Sequence, residues 1–318
     1  KKLINICRYL ENLFNNNRLD IEFCIKKNRV YIFQCRPLLG VTKKSDIEKH
    51  EKVLVNLKKK FDKINLKIPN ISGKNTVLSN MADWNPAEMI GCKPGKLSIS
   101  LYSELITNSI WSLQRLNYGY KDVMPNRLMI DMAGAPYIDL RTDLNSFLPK
   151  KLSSNTSSKL VENAINTLKK YPAFHDKIEF KIIDTCYNFS LEKKKFNFLE
   201  KKEKKIYIEN LKKLTNNILN PKNGALEKEI KYNKKLIKKI NIIKNTNLGP
   251  IQKIFYHIHD CKKYGTLPFA GIARCAFISK SIIDSLLNEK LLQTEDVKNF
   301  NMSIKTVSKK INNNYMHC

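Results

Sequence analysis

Asp20-Ile-Glu-Phe-Cys-Ile-Lys-Lys-Asn-Arg-Val-Tyr-Ile-Phe-Gln-Cys-Arg-Pro-Leu38 contains two runs of alternating apolar and polar residues, joined by Lys26-Lys-Asn-Arg29. Alternation with period two is the pattern of a strand, and a short polar join between two such runs predicts a β-hairpin. Ile21, Phe23 and Ile25 alternate with Glu22 and Cys24; Tyr31 and Phe33 alternate with Ile32 and Gln34. Gln34 and Arg36 share a face of the second strand. Carboxylate and carboxamide oxygens are hard ligands suited to Mg²⁺, and a guanidinium grips phosphate through paired hydrogen bonds. Glu22, Gln34 and Arg36 are therefore candidates for the floor of a nucleotide site. A hairpin with one polar face that binds nothing would read the same way.

Outward from the hairpin, residues 2–15 have the period of an amphipathic helix, and Pro37-Leu-Leu-Gly40 closes the unit. Residues 43–64 are charged and helical in period, as a linker helix would be. Composition changes at Ile71-Ser-Gly73, beyond which Trp, Tyr, Pro, Gly and Arg recur. Asn85-Pro-Ala-Glu88 reads as a helix start, with Asn as cap, Pro at the first position and Glu at the third in a capping-box arrangement, and Gly91 fits its stop. Helices are expected over 100–118 and 157–170, and a second hairpin over 128–141 turning at Gly134-Ala-Pro136. Residues 191–245 predict a Lys-rich helical hairpin broken at Asn220-Pro-Lys-Asn-Gly224. Its apolar stripes are Leu199, Ile206, Leu211, Leu214, Ile218 and Leu226, Ile230, Ile237, Ile240, Ile243. Two more helices follow, over 251–263 and from 269 to 279 or beyond. The fold class expected is α+β and mostly helical: a nucleotide-domain end over 1–42, a linker over 43–70, a helix-rich domain with the second hairpin over 71–310, and a tail over 311–318.

The net charge of +29 invites a nucleic-acid reading. Lys, Asn and Ile dominate, however, as an AT-rich coding sequence dictates, and the lysines are densest where helices turn a face to water. Base readers favour Arg, and single-strand binders interleave aromatics with their charges. No nucleic-acid partner is expected. Eight cysteines occur without a CxxC pair, as buried, reduced thiols of a cytoplasmic protein would. His257-Ile-His259 has a spacing that does not face one way on a helix. No run of about twenty apolar residues stands out, so no membrane span is expected. The amino-terminal apolar stretch is too short for a signal peptide. Beginning without Met and directly in a helix, the chain is expected to be an interior fragment.

Four segments concentrate chemistry: Asn80-Met-Ala-Asp-Trp-Asn-Pro-Ala-Glu-Met-Ile-Gly91, Tyr137-Ile-Asp-Leu-Arg-Thr-Asp-Leu-Asn-Ser-Phe147, His175-Asp-Lys-Ile-Glu-Phe180 and Gly265-Thr-Leu-Pro-Phe-Ala-Gly-Ile-Ala-Arg274. The chain has only eight arginines, yet Arg36, Arg115, Arg141 and Arg274 fall in or beside these segments or the first hairpin. Arg kept where Lys abounds points to planar contacts with carboxylate or phosphate, and buried structural ion pairs would produce the same pattern.

The Asp-x-Glu, hairpin, Gln-x-Arg order over residues 20–36 resembles the end of the ATP-grasp domain in the phosphoenolpyruvate synthase and pyruvate phosphate dikinase family. Asp83 to Gly91, Ser100-Leu-Tyr-Ser-Glu-Leu-Ile-Thr107, Trp111-Ser-Leu-Gln-Arg115 and the three later segments, in that order, resemble the central region of its surface-polysaccharide kinases of the L-glutamine kinase type. The resemblance implies an enzyme that phosphorylates a carrier histidine from ATP and passes the phosphate to a small acceptor, such as an amino acid or its amide. It implies Mg²⁺ on Glu22 and Gln34, ATP phosphate on Arg36, an upstream ATP-grasp half and a downstream phosphohistidine domain. No Gly-Gly-x-x-Ser-His-type carrier motif occurs, so the chain alone is expected to be inactive. Asp83, Glu88, Arg115, Asp139, Arg141 and Arg274 are the acceptor-binding candidates. His175 is a candidate acid–base group that a capping role would explain equally. A phosphoenolpyruvate or pyruvate activity would need a barrel with eightfold strand–helix alternation, which the pattern lacks. A non-catalytic basic binding module is the remaining alternative.

Overall fold

The computed structural model describes residues 2–38, 47–222 and 224–304. Its amino-terminal unit is helix α1 (Lys2–Leu13) and an antiparallel hairpin of β1 (Leu19–Lys26) and β2 (Arg29–Pro37). Lys27 and Asn28 both have positive φ, 48° and 62°, so the two-residue loop twists in the sense the strands require. The register shifts between Glu22 and Phe23: Glu22 pairs with Gln34, whereas Phe23 pairs with Ile32. Phe33 is thereby the extra residue of a β-bulge, which breaks the alternation predicted for the second strand. Beyond the bulge it is Tyr31, opposite Cys24, that continues the face of Glu22 and Gln34.

The body begins with α2 (Ile47–Ile64), mostly exposed, then β3 (Leu78–Ser79), α3 (Pro86–Ile90), α4 (Lys96–Tyr102) and α5 (Ile110–Asn117). The single helix expected over 100–118 is thus two helices, separated by a π-turn at Ser103–Thr107. Strands β4 (Met129–Met132) and β5 (Ala135–Asp139) form the second hairpin, turning at Ala133 and Gly134 instead of Gly134–Pro136, and β3 adds a strand the sequence did not reveal in the order β3-β5-β4. Helices α6 (Leu140–Ser146) and α7 (Ser154–Lys170) follow. The expected helical hairpin is α8 (Lys201–Leu219) and α9 (Ala225–Lys244), broken at Asn220–Gly224 as read. Then come α10 (Pro250–Asp260), α11 (Leu267–Asn288) and α12 (Thr294–Ser303). The fold is α+β and mostly helical.

Four expectations are corrected. The break placed between residues 263 and 269 is instead a π-turn, Cys261–Thr266, carrying one helical rod from Pro250 to Asn288. Pro268 lacks an N–H, and the wider π-turn absorbs that loss just before the second helical segment. The rod contains a stretch long and apolar enough to cross a membrane, contrary to the expected absence of one. In this structure one side of it delivers Arg274, Cys275 and Ile278 to the interior, while Ile251, Ile254, Phe255 and Phe269 are exposed. The stripes on the Lys-rich hairpin are also only partly buried. α8 buries Tyr207, Ile208, Leu211, Leu214 and Ile218, but Ile206, Leu226, Ile230 and Ile237 are exposed. Of the seven cysteines among the described residues, all free thiols, only Cys186 and Cys275 are buried.

The main core gathers Trp111, Leu128, Ile138, Leu140, Leu144, Phe147, Leu160, Val161, Tyr207 and Leu211. α6 lies inside it, buried on every side although Arg141, Thr142, Asp143, Asn145 and Ser146 are polar. Such a helix is tolerable only when its polar atoms find partners. Asn145 meets the requirement with four contacts, to both backbone groups of Ser72, to Arg141 O and to the Lys121 amine.

Candidate functional site

Four sequence segments, with Trp111-Ser-Leu-Gln-Arg115, converge on one buried ionic cluster. Arg115, on α5, donates to Asp83 before α3, to Asp143 Oδ1 on α6 at 2.8 Å and to Ser146 Oγ. Ser146 Oγ in turn donates to Asp143 O. Arg274, on α11, makes a bidentate pair with Glu179, which sits on a π-turn at Ile178–Ile182. Both guanidinium carbons lie over the Phe147 ring, Arg115 at 3.8 Å and Arg274 at 4.8 Å from its centroid. Trp111 flanks Arg115 at 5.2 Å. Side-chain exposure is 2% for Arg115 and 0% for Asp143, but 15% for Asp83, which forms the lip of the cluster.

Two cations facing three carboxyl groups in a dry site leave one negative charge too many. Burial is the main cause that lifts the Asp143 carboxyl, with the charge of Asp83 adding to it, to about 7 against the opposing pull of Arg115. Its Oδ2 and Arg274 Nε have no hydrogen-bond partner among the described residues, so each is desolvated without compensation. Asp143, Ser146, Phe147 and Glu179 were not singled out as site residues. A signal existed: Leu140, Asp143, Leu144 and Phe147 fall on one helical face, which places the acid among core residues.

At the lip, Trp84 and Asn85 have positive φ, 62° and 32°. For a bulky residue such as Trp this conformation is strained, and neighbours must hold it. Asp83 is tied to Arg115, the Tyr102 hydroxyl donates to Trp84 O, and Asn85 N–H donates to Ala82 O at 2.7 Å. Asn85 also caps α3 by accepting from Glu88 N–H, while the Glu88 side chain points to solvent. His175 Nδ1 shares a 2.9 Å hydrogen bond with Ser79 Oγ at the edge of the small sheet, and Ser79 Oγ accepts Met81 N–H.

Asp139 and Arg141 are placed elsewhere. Asp139 caps α6, accepting from Arg141 N–H, Thr142 N–H and hydroxyl, and Thr76 Oγ1. Arg141 binds the carbonyls of Ile64, Leu66 and Lys74 and so fastens the end of α2 to the body.

On the amino-terminal hairpin, Glu22 stands directly opposite Gln34 and Asp20 opposite Arg36. Cross-strand neighbours of this kind hold their Cβ atoms about 4.5–5.5 Å apart. Arg36 Nε donates to Asp20 Oδ2 at 2.9 Å, and Glu22, Gln34 and Arg36 are exposed. Two oxygen donors on adjacent strands fit part of a Mg²⁺ shell whose other positions belong to water and phosphate. Among the described residues, no group of three or more His, Cys, Asp or Glu side chains is placed to hold a metal ion. Compared with protein-family models, curated proteins and solved structures, the chain matches none.

Proposed function

We propose that this chain is part of a cytoplasmic ATP-dependent phosphotransferase of the phosphoenolpyruvate synthase-like kind. On this reading it contributes one wall of the nucleotide site and the domain that receives a small acceptor, an amino acid or amide such as L-glutamine. The observation that carries the reading is the hairpin register, which gathers Glu22, Gln34 and Arg36 on one exposed face. Mg²⁺ would be held by Glu22 and Gln34, and with ATP would supply the transferable phosphoryl group and neutralise its charge. Arg36 would bind phosphate, pre-oriented by Asp20, whose carboxylate keeps the guanidinium plane fixed. The acceptor would be received over the strained turn at Trp84, where Asp83 is oriented by Arg115 and His175 by Ser79. The remaining nucleotide-site walls and the phosphohistidine carrier would come from other parts of the enzyme.

The test is phosphohistidine formation from labelled ATP in the enzyme assembled with its nucleotide and carrier portions. Glu22→Ala and Arg36→Ala should each abolish the label on the carrier. Normal labelling in either variant would sink the assigned role.

A further inference from the structure

A second place in the body is built for an anion. A cavity of about 1030 Å³ opens between the loop at 67–74, the start of α7 and Lys121. Five lysines line it, Lys67, Lys74, Lys121, Lys150 and Lys159, against two acids, Asp122 and Glu162. Lys159 is answered by Glu203, which accepts from its amine at 2.8 Å. Lys121 has no such answer: no carboxylate pairs with it among the described residues. Its amine donates to Ser72 Oγ at 2.9 Å and Asn145 Oδ1 at 2.8 Å, and a third N–H remains. Half-burial holds this amine below the usual lysine range, so a neighbouring anion would be favoured.

The walls are rigid. Gly73 has φ +91°, and a Cβ there would meet Val161 Cγ1 at 2.8 Å, so the loop backbone lies directly on α7. Arg141 pins the two ends of this loop from behind, through Lys74 O at one end and the carbonyls of Ile64 and Leu66 just before the other. Asn145, which fixes the Lys121 amine, is itself held through Ser72 and Arg141. The opposite wall carries the hydroxyls of Ser154, Ser157 and Ser158 at the positive end of α7.

We propose that this cavity binds a small phosphorylated molecule, with Lys121 as the central phosphate contact and Lys67 and Lys74 closing over it from the rim. Its volume lies at the upper limit of small-molecule clefts, roughly 300–1,000 Å³, and leaves room for a ligand of nucleotide size. The inference stands independently of the hairpin site. It is tested on the full chain by calorimetric titration with inorganic pyrophosphate at fixed ionic strength, alongside NMR of lysine amines carrying ¹³C-methyl groups. We expect saturable binding, a shift of the Lys121 signal, and a loss of about tenfold or more in affinity for Lys121→Met, the scale of a hydrogen bond to a charged group. Lys74→Gln, at an exposed position that does not threaten folding, should weaken binding by a smaller factor. Lys238→Gln, on the exposed face of α9, controls for net charge and should change nothing. Equal affinity in the parent, Lys121→Met and Lys74→Gln would overturn the proposal. So would tighter binding of single-stranded RNA than of pyrophosphate through these lysines, which would make the face a nucleic-acid surface.

Discussion

Arg115→Met removes the fork at the centre of the ionic cluster while keeping much of the side chain's bulk. Asp83, Asp143 and Ser146 each lose a donor. Removing one partner of a buried ion pair costs about 3–5 kcal/mol, because the stranded carboxylates lose their compensation. The guanidinium's seat on Phe147 and Trp111 adds about 1–2 kcal/mol. Asp143 can relieve part of the charge cost by taking up a proton, since burial already places it at about 7. In the parent, its folded pKa lies above the unfolded value of about 3.9, so the folded state binds an extra proton between those limits and stability falls as pH rises through that window. Arg115→Met raises the folded pKa further, and the gap between variant and parent therefore opens above about pH 7 and narrows below it. Urea unfolding followed by circular dichroism, at about pH 6 and about pH 8.5, measures both. The expected loss is about 4–7 kcal/mol at the higher pH and clearly less at the lower. A loss under about 1 kcal/mol, the scale of an exposed pair, or one equal at both pH values would refute the reasoning. In Arg115→Met/Asp143→Asn the stranded charge is gone, and the double variant should be more stable than Arg115→Met alone.

Glu229, 7% exposed, is pushed up to about 7 by burial against its ordinary 4.5. It keeps its proton in the folded state and sheds it in the unfolded one across that window, so it too makes stability fall as pH rises. Glu229→Gln should match the parent at about pH 4.5 and exceed it by at most about 3 kcal/mol above pH 7, read as a flattened plot of Tm against pH; an unchanged slope counts against it. Gly271→Ala should cost about 1–3 kcal/mol despite the better helix propensity of Ala, because its Cβ would fall 2.7 Å from Glu229 Oε1 and against the Tyr118 hydroxyl. A neutral or stabilising result by thermal denaturation would show that the α9–α11 contact yields.

The hairpin could be read from alternation and from the Lys27-Asn28 join, since both are local. The bulge at Phe33 could not, because it follows from pairing and carries no residue type of its own. β3 is two residues long and too short to show a period. The interval left between the helices expected to end at 263 and begin at 269 holds Gly265 and Pro268, both breakers in isolation; in the structure Gly265 lies in the π-turn against Leu236 of α9, and Pro268 falls in the first turn of α11, where its missing N–H costs least. The partly exposed stripe of α9 has a similar cause, since the helix presents Glu229 and Leu236 to the rod instead of Ile230 and Ile237. At the candidate site, scarcity marked Arg115 and Arg274, and burial answers the alternative left open for them: each is a buried ion pair. Their acids lie 28 and 95 residues away in sequence, separations that no local pattern spans.

On the proposed reading, burial of the arginines limits what the cluster can do for an acceptor. Neither guanidinium is open to a ligand, so neither is the acceptor's direct contact in this conformation. What reaches the surface from the cluster is Asp83, and with it the turn in which Trp84 and Asn85 are held at positive φ. Strain of that kind costs about 1–3 kcal/mol per residue and persists only where the surroundings over-determine it. Here Arg115 fixes the residue before the strained pair, Tyr102 fixes the carbonyl within it, and Asn85 closes the far side by capping α3. Because Asp143 and Asp83 share Arg115, the proton on Asp143 sets how firmly Asp83 is held. Neutralising Asp143 leaves the guanidinium charge to Asp83 alone; ionising it divides that charge between the two. How firmly the Trp84 turn is held therefore depends on the charge of Asp143, through one hydrogen bond on each side of Arg115.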